Sequence, residues 1–414
     1  VTFAGTGIIL GAGIYALLGE GAALAGNAVW LAFLISAGIA LFTGLSYAEL
    51  SSMFPRASAE YEYTAQSFGR KIAFIVGWLI ILSGVIASAT VAVGFGGYVA
   101  DLFSVSPIPS AILLIAALSL LLCIGVRESA SVAVVFTLIE AGGLIFIAVV
   151  GIPYLGRVDY FEMPSGVDGL LQASALLFFA YLGFEEIVKM SEEAREPEKT
   201  IPRGLMLALL TSIVLYIAAS ISAVSVTGWQ MLSATAAPFS VVAQVAVGDL
   251  GSVLLSAIAL FATANTVLLM MYAASRIIYG MAESFSLPRV LARVHPVRRT
   301  PWVAILVIAV FTILFVFAGD IGFIANLTNY TLFVAFIAIN GAVIVLRFTR
   351  PLMIRPFRVP LSVGAFPLVP LFGILSSILL LVQLDAVVLL IGVIITLIGA
   401  VIAFANIRYG RESP

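Results

Sequence analysis

Two stretches of this sequence combine residues that interrupt a helix with groups that bind charge. Gly11 and Gly13 stand two positions apart in an apolar stretch, and FFAYLGF at 178–184 runs directly into Glu185 and Glu186. Glycine costs a continuous helix about 1 kcal/mol per site relative to alanine, and adjacent carboxylates inside an apolar helix are tolerated still less. Both stretches therefore predict interrupted helices with unpaired backbone N–H and C=O groups.

The first interruption predicts a site for an anion. Unpaired N–H groups at the start of a helix, together with the positive end of its dipole, attract negative charge. Glycine has no side chain that would keep an anion away from the backbone. We therefore expect Gly11, Ala12, Gly13 and the adjoining Ile14 to bind a carboxylate.

The second interruption predicts a site for a cation, because it frees carbonyl oxygens instead. We expect these oxygens at Phe179, Ala180 and Leu182. If the two interruptions face each other, they bind a ligand that carries both a carboxylate and an ammonium group. An α-amino acid is such a ligand, and backbone contacts alone would recognise any member of that class.

Glu140 is the third feature with chemistry of its own, since it lies in the middle of the apolar stretch 131–155. An ionised carboxylate at membrane depth costs several kcal/mol, so we expect a neutral acid or a cationic partner. Three interpretations stay open. Glu140 binds and releases a proton, or it binds a sodium ion with oxygens of Thr263 and Thr266, or it forms a neutral hydrogen bond between helices.

The composition indicates which elements hold these residues. Hydrophobic residues make up 62% of the 414 residues, charged residues make up 10%, and the mean hydropathy is +1.20. Soluble domains carry roughly 25% charged residues. The sequence therefore predicts an all-α membrane protein, because lipid offers backbone groups no partners outside a helix. The net charge of −1 gives no general attraction to nucleic acid.

Catalytic and metal-binding motifs are absent from the sequence. Cys123 and His295 are the only cysteine and the only histidine, which excludes an internal disulfide, a Cys metal cluster and the H-E-x-x-H motif of zinc proteases. The sequence also lacks a Walker A motif, so ATP is not expected as the energy source. We expect no enzyme activity, no cofactor and no resident metal ion.

Twelve apolar stretches predict twelve transmembrane helices. Every Lys and Arg except Arg157 falls in alternate connecting segments, at the span ends that adjoin them or after the last span, as expected when those segments face the cytosol. We expect a multi-pass protein of the plasma membrane with cytoplasmic termini, and a short cytosolic segment before Val1. The predicted spans are 1–19, 28–50, 72–100, 108–125, 131–155, 169–190, 204–226, 251–280, 302–319, 321–346, 366–384 and 386–407.

The two interruptions lie in spans 1 and 6 of this series. These spans are an odd number of crossings apart, so they run through the membrane in opposite directions. The pattern predicts an inverted repeat of five spans plus five, and paired interrupted helices of this kind indicate the substrate site of a transporter. The predicted units are 1–155, 156–350 and, outside the repeat, 351–414.

Four stretches carry a family resemblance. They are GAGIY at 11–15, YAELSSMFPR at 47–56 with Glu60-Tyr61, FFAYLGF at 178–184 with the loop through Arg203, and SRIIYGMA at 275–282 with Leu287-Pro288. They resemble the amino acid–polyamine–organocation superfamily, near prokaryotic relatives of cationic amino acid transporters. The resemblance implies a leucine-transporter-type fold, alternating access and the same backbone positions for the substrate. The chain departs from the family's pattern at Ser58-Ala59 and at Glu196, both in predicted cytosolic loops.

The same resemblance bears on Glu140. In proton-coupled members, a similar place in span 5 is held by a lysine that occupies the region of the sodium site. Here the sign of the charge is reversed. We expect the chain to couple amino acid movement to protons, with sodium as the alternative.

The residues around the predicted site favour neutral amino acids. Span 3 has no acid before Asp101 at its outer end, and a cationic side chain would need a buried carboxylate partner. Glu185 and Glu186 keep a cationic amino acid or polyamine exchanger open as an alternative, although we expect this pair to contact inner-loop arginines instead. A non-transporting amino acid sensor is a further alternative.

Overall fold

The computed structural model describes residues 2–11, 13–55, 59–125, 130–283 and 287–409. Each predicted span contains helix. The helices of the first part of the chain are α1 Thr2–Leu10, α2 Gly13–Ala25, α3 Val29–Met53, α4 Ala59–Phe68, α5 Arg70–Phe103, α6 Pro107–Ile124 and α7 Ala130–Val150.

The second part begins after a loop that holds a short 3-10 turn, Ile152–Tyr154. Two short strands, β1 Ser362–Val363 and β2 Phe366–Pro367, pair antiparallel as a hairpin. The helices are α8 Gly166–Leu177, α9 Phe184–Lys189, α10 Pro197–Ser233, α11 Pro238–Val247, α12 Asp249–Glu283, α13 Trp302–Val316, α14 Ile321–Thr349, α15 Leu368–Leu381 and α16 Ala386–Tyr409.

Length and composition make this an integral membrane protein. Within the described ranges, 9 helical stretches are long and apolar enough to cross a membrane, and one of them, Gly5–Met53, covers two predicted spans. The helices α13 and α15 are apolar but have only 15 and 14 residues. A transmembrane helix needs about 20 residues, so the count of twelve spans stays a prediction.

Three elements lie where loops were expected. Helix α4 begins with Glu60 and Glu62 in its first turn, where carboxylates stabilise the helix dipole. Helix α11 begins at Pro238, which is suited to the first helical position because it lacks an N–H group. The hairpin turns through Gly364 at a φ of 61°. Hydropathy alone misses such short elements, because they are too short or too polar to span lipid.

The core of the bundle lies along α5, α12, α10, α3 and α14, and the interrupted pairs α1–α2 and α8–α9 pack among these helices. The peripheral helices α6, α13 and α16 expose large apolar side chains such as Leu113, Val310 and Val401. In an integral membrane protein, such exposed apolar residues are expected to contact lipid. The fold therefore surrounds both interruptions with protein and turns its apolar exterior to the membrane.

A buried ion network fixes the loop after α14 to the end of α3. The Glu49 carboxylate accepts from Arg347 Nε at 2.8 Å and from Nη2 at 2.6 Å. Arg355 Nε lies 3.3 Å from the same carboxylate, and the Val359 N–H donates to it at 2.8 Å. Because breaking a buried pair leaves an uncompensated charge, this network holds the predicted cytosolic ends of α3 and α14 together.

Candidate functional site

The first interruption separates α1 from α2. Helix α1 ends at Leu10 and α2 begins at Gly13, as the glycine pattern predicts. Ala12 lies outside the described residues. Gly11 packs directly on α12, since a Cβ added to Gly11 would collide with Thr266 Oγ1. The interruption is therefore held against the helix that carries two of the residues predicted for ion binding.

The second interruption separates α8 from α9. One 3-10 turn, Phe178–Tyr181, follows α8, and Leu182 is then extended with φ −57° and ψ 145°. Gly183 has a φ of 107°, a conformation that side chains other than hydrogen disfavour. This backbone departs from the regular α-helical hydrogen-bond pattern at Phe179, Ala180 and Leu182, although the Phe179 carbonyl oxygen still accepts from the Leu182 N–H at 3.2 Å.

The two interruptions are in direct contact. A Cβ on Gly13 would lie 2.5 Å from the Cα of Ala180, and a Cβ on Gly183 would lie 2.9 Å from the carbonyl oxygen of Ile8. Approaches this close are possible only for glycine. The structure thus brings the predicted carboxylate site and the predicted ammonium site together, with Ile14 buried beside them.

Tyr216 of α10 joins the two interruptions, and the sequence analysis missed it. Its hydroxyl lies 2.5 Å from the carbonyl oxygen of Ile9 and 2.8 Å from that of Ala180. One hydroxyl has one proton to donate, so the two carbonyls share a single donor and retain capacity to accept from an ammonium group. A lone tyrosine in an apolar helix carries no sequence signal of this role.

Aromatic side chains cover the site on the side predicted to face outward. Tyr98 donates from its hydroxyl to the Tyr15 carbonyl oxygen at 3.0 Å. The rings of Tyr15 and Phe239 meet edge to face at 5.2 Å, and all three residues are fully buried. Phe239 belongs to α11, the short helix that hydropathy did not predict. This helix therefore contributes to closing the site.

A second aromatic group closes the side predicted to face the cytosol. Tyr47 packs edge to face on Phe184 at 5.7 Å and on Phe336 at 5.9 Å, and Phe178 packs on Phe333 at 5.0 Å. All five residues are fully buried. Since the covering residues on both sides exclude solvent, the site is sealed in this conformation.

The carboxylates after the second interruption have local partners. Glu185 accepts from the Gly183 N–H at 2.9 Å, and Glu186 accepts from Lys189 at 2.5 Å. The prediction that Glu185 and Glu186 contact inner-loop arginines is therefore wrong, because the cation that pairs with Glu186 is Lys189. Lys189 also lies 3.9 Å from Glu60 of α4. Burial raises the pKa of Glu60, and the Lys189 charge offsets part of that increase.

Glu140 is fully buried in α7, and its partner is Asn265 of α12. Asn265 Nδ2 donates to Glu140 Oε1 at 3.0 Å. Glu140 Oε2 and Asn265 Oδ1 are buried and have no hydrogen-bond partner among the described residues. Because buried polar atoms without partners are costly, these two oxygens are candidates to bind a proton or a cation.

The two threonines predicted beside Glu140 are buried in α12, and their hydroxyls donate to their own helix. Thr263 donates to the Ala259 carbonyl oxygen at 2.7 Å, and Thr266 donates to that of Ala262 at 2.9 Å. Thr266 also contacts the first interruption, as described for Gly11. Glu140 is also linked to the helix after the first interruption, because the Tyr15 hydroxyl of α2 donates to the Glu140 backbone carbonyl at 2.9 Å.

Known proteins resemble this chain over most of its length. The family model for amino acid permeases matches residues 1–405. The chain is 30% identical over 430 residues to the branched-chain amino acid permease BcaP of Bacillus subtilis (strain 168), covering 99% of this chain and 92% of that protein. It is 29% identical over 436 residues to a methylthioribose transporter of the same organism, with the same coverage. It is 30% identical over 379 residues to a vacuolar cationic amino acid transporter of Arabidopsis thaliana, covering 84% and 62%.

Proposed function

The chain belongs to the amino acid permease family of the amino acid–polyamine–organocation superfamily, and from this we propose that it is a secondary active transporter for neutral amino acids. It is an amino acid transporter of the membrane and not an enzyme. The observation that carries the proposal is the contact between Gly13 and Ala180. It brings anion-binding N–H groups within reach of cation-binding carbonyls, as the two ends of an α-amino acid require.

The proposed mechanism is alternating access around this site. Buried aromatic residues close it on both sides, so the substrate enters or leaves only when one group of them separates. The Glu49 network would keep the cytosolic ends of α3 and α14 together while the outer side opens. This arrangement fits the predicted inverted repeat, in which 1–155 and 156–350 are the two units and 351–414 lies outside them. It also fits a protein of the plasma membrane with cytoplasmic termini.

The proposed preference for neutral substrates rests on the hydrogen bonds and ion pairs that the nearby carboxylates already form. Glu185 binds the backbone at Gly183, and Glu186 pairs with Lys189. Asp101, at the end of α5, accepts a hydrogen bond from Ser240 at 2.7 Å. A cationic side chain would have to displace one of these partners. The similarity to a branched-chain amino acid permease supports the neutral class, whereas the similarity to cationic amino acid transporters keeps the alternative.

A competition panel tests the substrate class. Purified protein in liposomes takes up a labelled neutral amino acid, and unlabelled competitors are added at equal concentration. We expect alanine, serine, leucine, isoleucine and valine to compete, and arginine, lysine and polyamines to compete at least roughly tenfold less well, the equivalent of about 1.4 kcal/mol. Stronger competition by arginine or lysine would make the cationic alternative correct. Binding without any uptake would indicate a sensor.

Tyr216→Phe tests the residue that joins the two interruptions. The change removes the hydroxyl that contacts the Ile9 and Ala180 carbonyls and leaves the ring in place. We expect the KM for uptake to rise roughly two- to tenfold, because a buried hydrogen bond contributes about 0.5–1.5 kcal/mol. The matched control is Tyr330→Phe, because among the described residues the Tyr330 hydroxyl forms a hydrogen bond with Thr396 alone, at 3.4 Å. An unchanged KM in Tyr216→Phe would remove this residue from the site.

We propose that Glu140 couples transport to protons. It is a fully buried carboxylate that forms no ion pair with a described residue, and one of its oxygens lacks a partner. A proton on that oxygen would complete its hydrogen bonding. Asn265 holds the other oxygen and links α7 to α12. A sodium ion bound between these oxygens and those of Thr263 and Thr266 is the alternative.

A further inference from the structure

A cavity of about 240 Å³ opens at the ends of α6, α12 and α13, away from the two interruptions. Three arginines line it, namely Arg276 on α12 and Arg298 and Arg299 in the loop before α13. These residues belong to segments that the charge pattern places on the cytosolic side of the membrane. The cavity therefore lies at a membrane surface and carries a concentrated positive charge.

The arginines have no acidic counterparts within the part of the chain that the structure describes. No described carboxylate forms an ion pair with Arg276, Arg298 or Arg299. Glu128 lies outside the described residues. Arg276 instead donates to the Tyr272 hydroxyl at 2.9 Å and lies over the ring of that residue. Arg298 Nη1 donates to the Ile124 carbonyl oxygen at 3.4 Å. A guanidinium has five N–H donors, so most donors of the three side chains form no hydrogen bond with a described residue and are available to an anion.

The loop that carries two of these arginines is folded tightly. His295 Nδ1 accepts from the Val297 and Arg298 N–H groups at 3.3 and 3.2 Å, and the Arg299 N–H donates to the His295 carbonyl at 2.8 Å. Thr300 donates from its hydroxyl to the Cys123 carbonyl at 2.9 Å, which ties the loop to α6. The backbone that carries Arg298 and Arg299 is therefore fixed by hydrogen bonds of the loop itself and of its contact with α6.

Apolar side chains continue outward from the cavity along the neighbouring helices. Leu121 and Ile124 of α6 and Trp302 and Leu306 of α13 are all exposed by more than a third, with relative exposures of 42%, 46%, 37% and 46%. Helices α6 and α13 pack against each other. Tryptophan is common at the membrane interface, where its ring spans the headgroup level. The charged cavity thus adjoins an apolar surface that faces lipid.

We propose that this cavity binds the headgroup of an anionic phospholipid, with its phosphate among Arg276, Arg298 and Arg299 and its acyl chains along α6 and α13. Basic pockets between transmembrane helices on the cytosolic side are the general form of such sites. The volume of about 240 Å³ is below the roughly 300–1,000 Å³ of pockets that enclose a whole small molecule. It suits a phosphate-containing headgroup whose tail stays outside.

Native mass spectrometry of the full chain, titrated with phosphatidylglycerol in detergent, tests the proposal. We expect one tightly bound lipid in the wild type. Arg276→Gln should weaken binding roughly fivefold, and Arg276→Gln with Arg299→Gln roughly 25-fold, since each basic residue near a lipid surface contributes about 1 kcal/mol. The control is Arg293→Gln, an exposed arginine of the same loop that does not line the cavity. It should bind the lipid like the wild type.

Competing ligands distinguish the source of the phosphate. Phosphatidylcholine should bind far more weakly than phosphatidylglycerol, and soluble glycerol phosphate should not displace the lipid at equal concentration, because it lacks the acyl contacts. Three results would overturn the proposal: equal binding of phosphatidylcholine, displacement by glycerol phosphate, or unchanged binding in the double variant with a native thermal unfolding midpoint.

Discussion

Gly13→Ala is expected to reduce amino acid uptake by roughly one to two orders of magnitude, because overpacking costs about 1–3 kcal/mol. The added methyl group would lie 2.5 Å from the Cα of Ala180. The nearest atom belongs to the backbone, so no side-chain rotation relieves the clash. The first interruption must move away from the second, which separates the carboxylate-binding N–H groups from the ammonium-binding carbonyls.

Two further variants separate this explanation from general damage to a helix. Gly142→Ala also replaces a glycine in a transmembrane helix, but a Cβ there meets nothing within 4 Å. It should transport normally and be at least as stable, since alanine favours helix. The double variant Gly13→Ala with Ala180→Gly should remain impaired, because the added methyl group still collides with the backbone of residue 180. Wild-type KM in a folded Gly13→Ala protein would show that the substrate binds elsewhere.

Glu140→Gln is expected to abolish accumulation driven by a pH gradient and to preserve exchange of internal for external substrate. Glutamine keeps an acceptor for Asn265 Nδ2 and places an NH₂ group where Glu140 Oε2 has no partner. It therefore imitates a carboxyl group that is permanently protonated. The variant cannot release a proton to the inner side, so net uptake loses its driving force while substrate binding continues.

The measurement uses proteoliposomes with an acidic exterior, followed by counterflow at equal pH. The control is Glu198→Gln, which makes the same chemical change at an exposed position of α10 and should leave both activities unchanged. Wild-type uptake that follows a sodium gradient at constant pH would favour the cation alternative. If Glu140→Gln accumulates substrate like the wild type, Glu140 is only a hydrogen-bonding contact between α7 and α12.

The prediction for Glu140 illustrates what a residue type alone can indicate. A single carboxylate in an apolar stretch signals chemistry whatever its surroundings, because the cost of burying it is a local property. Its partner carries no such signal. Asn265 lies 125 residues further along the chain, and one asparagine in a membrane helix is compatible with many packing arrangements. The proposed cation ligands Thr263 and Thr266 lie in the same helix as Asn265, but the observed hydrogen bond to Glu140 comes from Asn265.

The sequence by itself determined the membrane class and the positions of both interruptions, and it predicts an orientation. Each depends on local composition: hydropathy over about 20 residues, glycine at Gly11, Gly13 and Gly183, and the distribution of basic residues. The hydropathy of the sequence did not predict α4 and α11, because short helices outside the lipid give no transmembrane hydropathy signal. The family model and the relatives confirm the transporter class.

Only the tertiary structure decided which freed groups face each other. The contacts of Gly13 with Ala180 and of Tyr216 with Ile9 join segments that are far apart in sequence. The packing angles that bring them together depend on the whole bundle, and no local pattern encodes those angles. The same is true of the arginine-lined cavity, since its three charges come from two segments that meet only after α12 packs against α13.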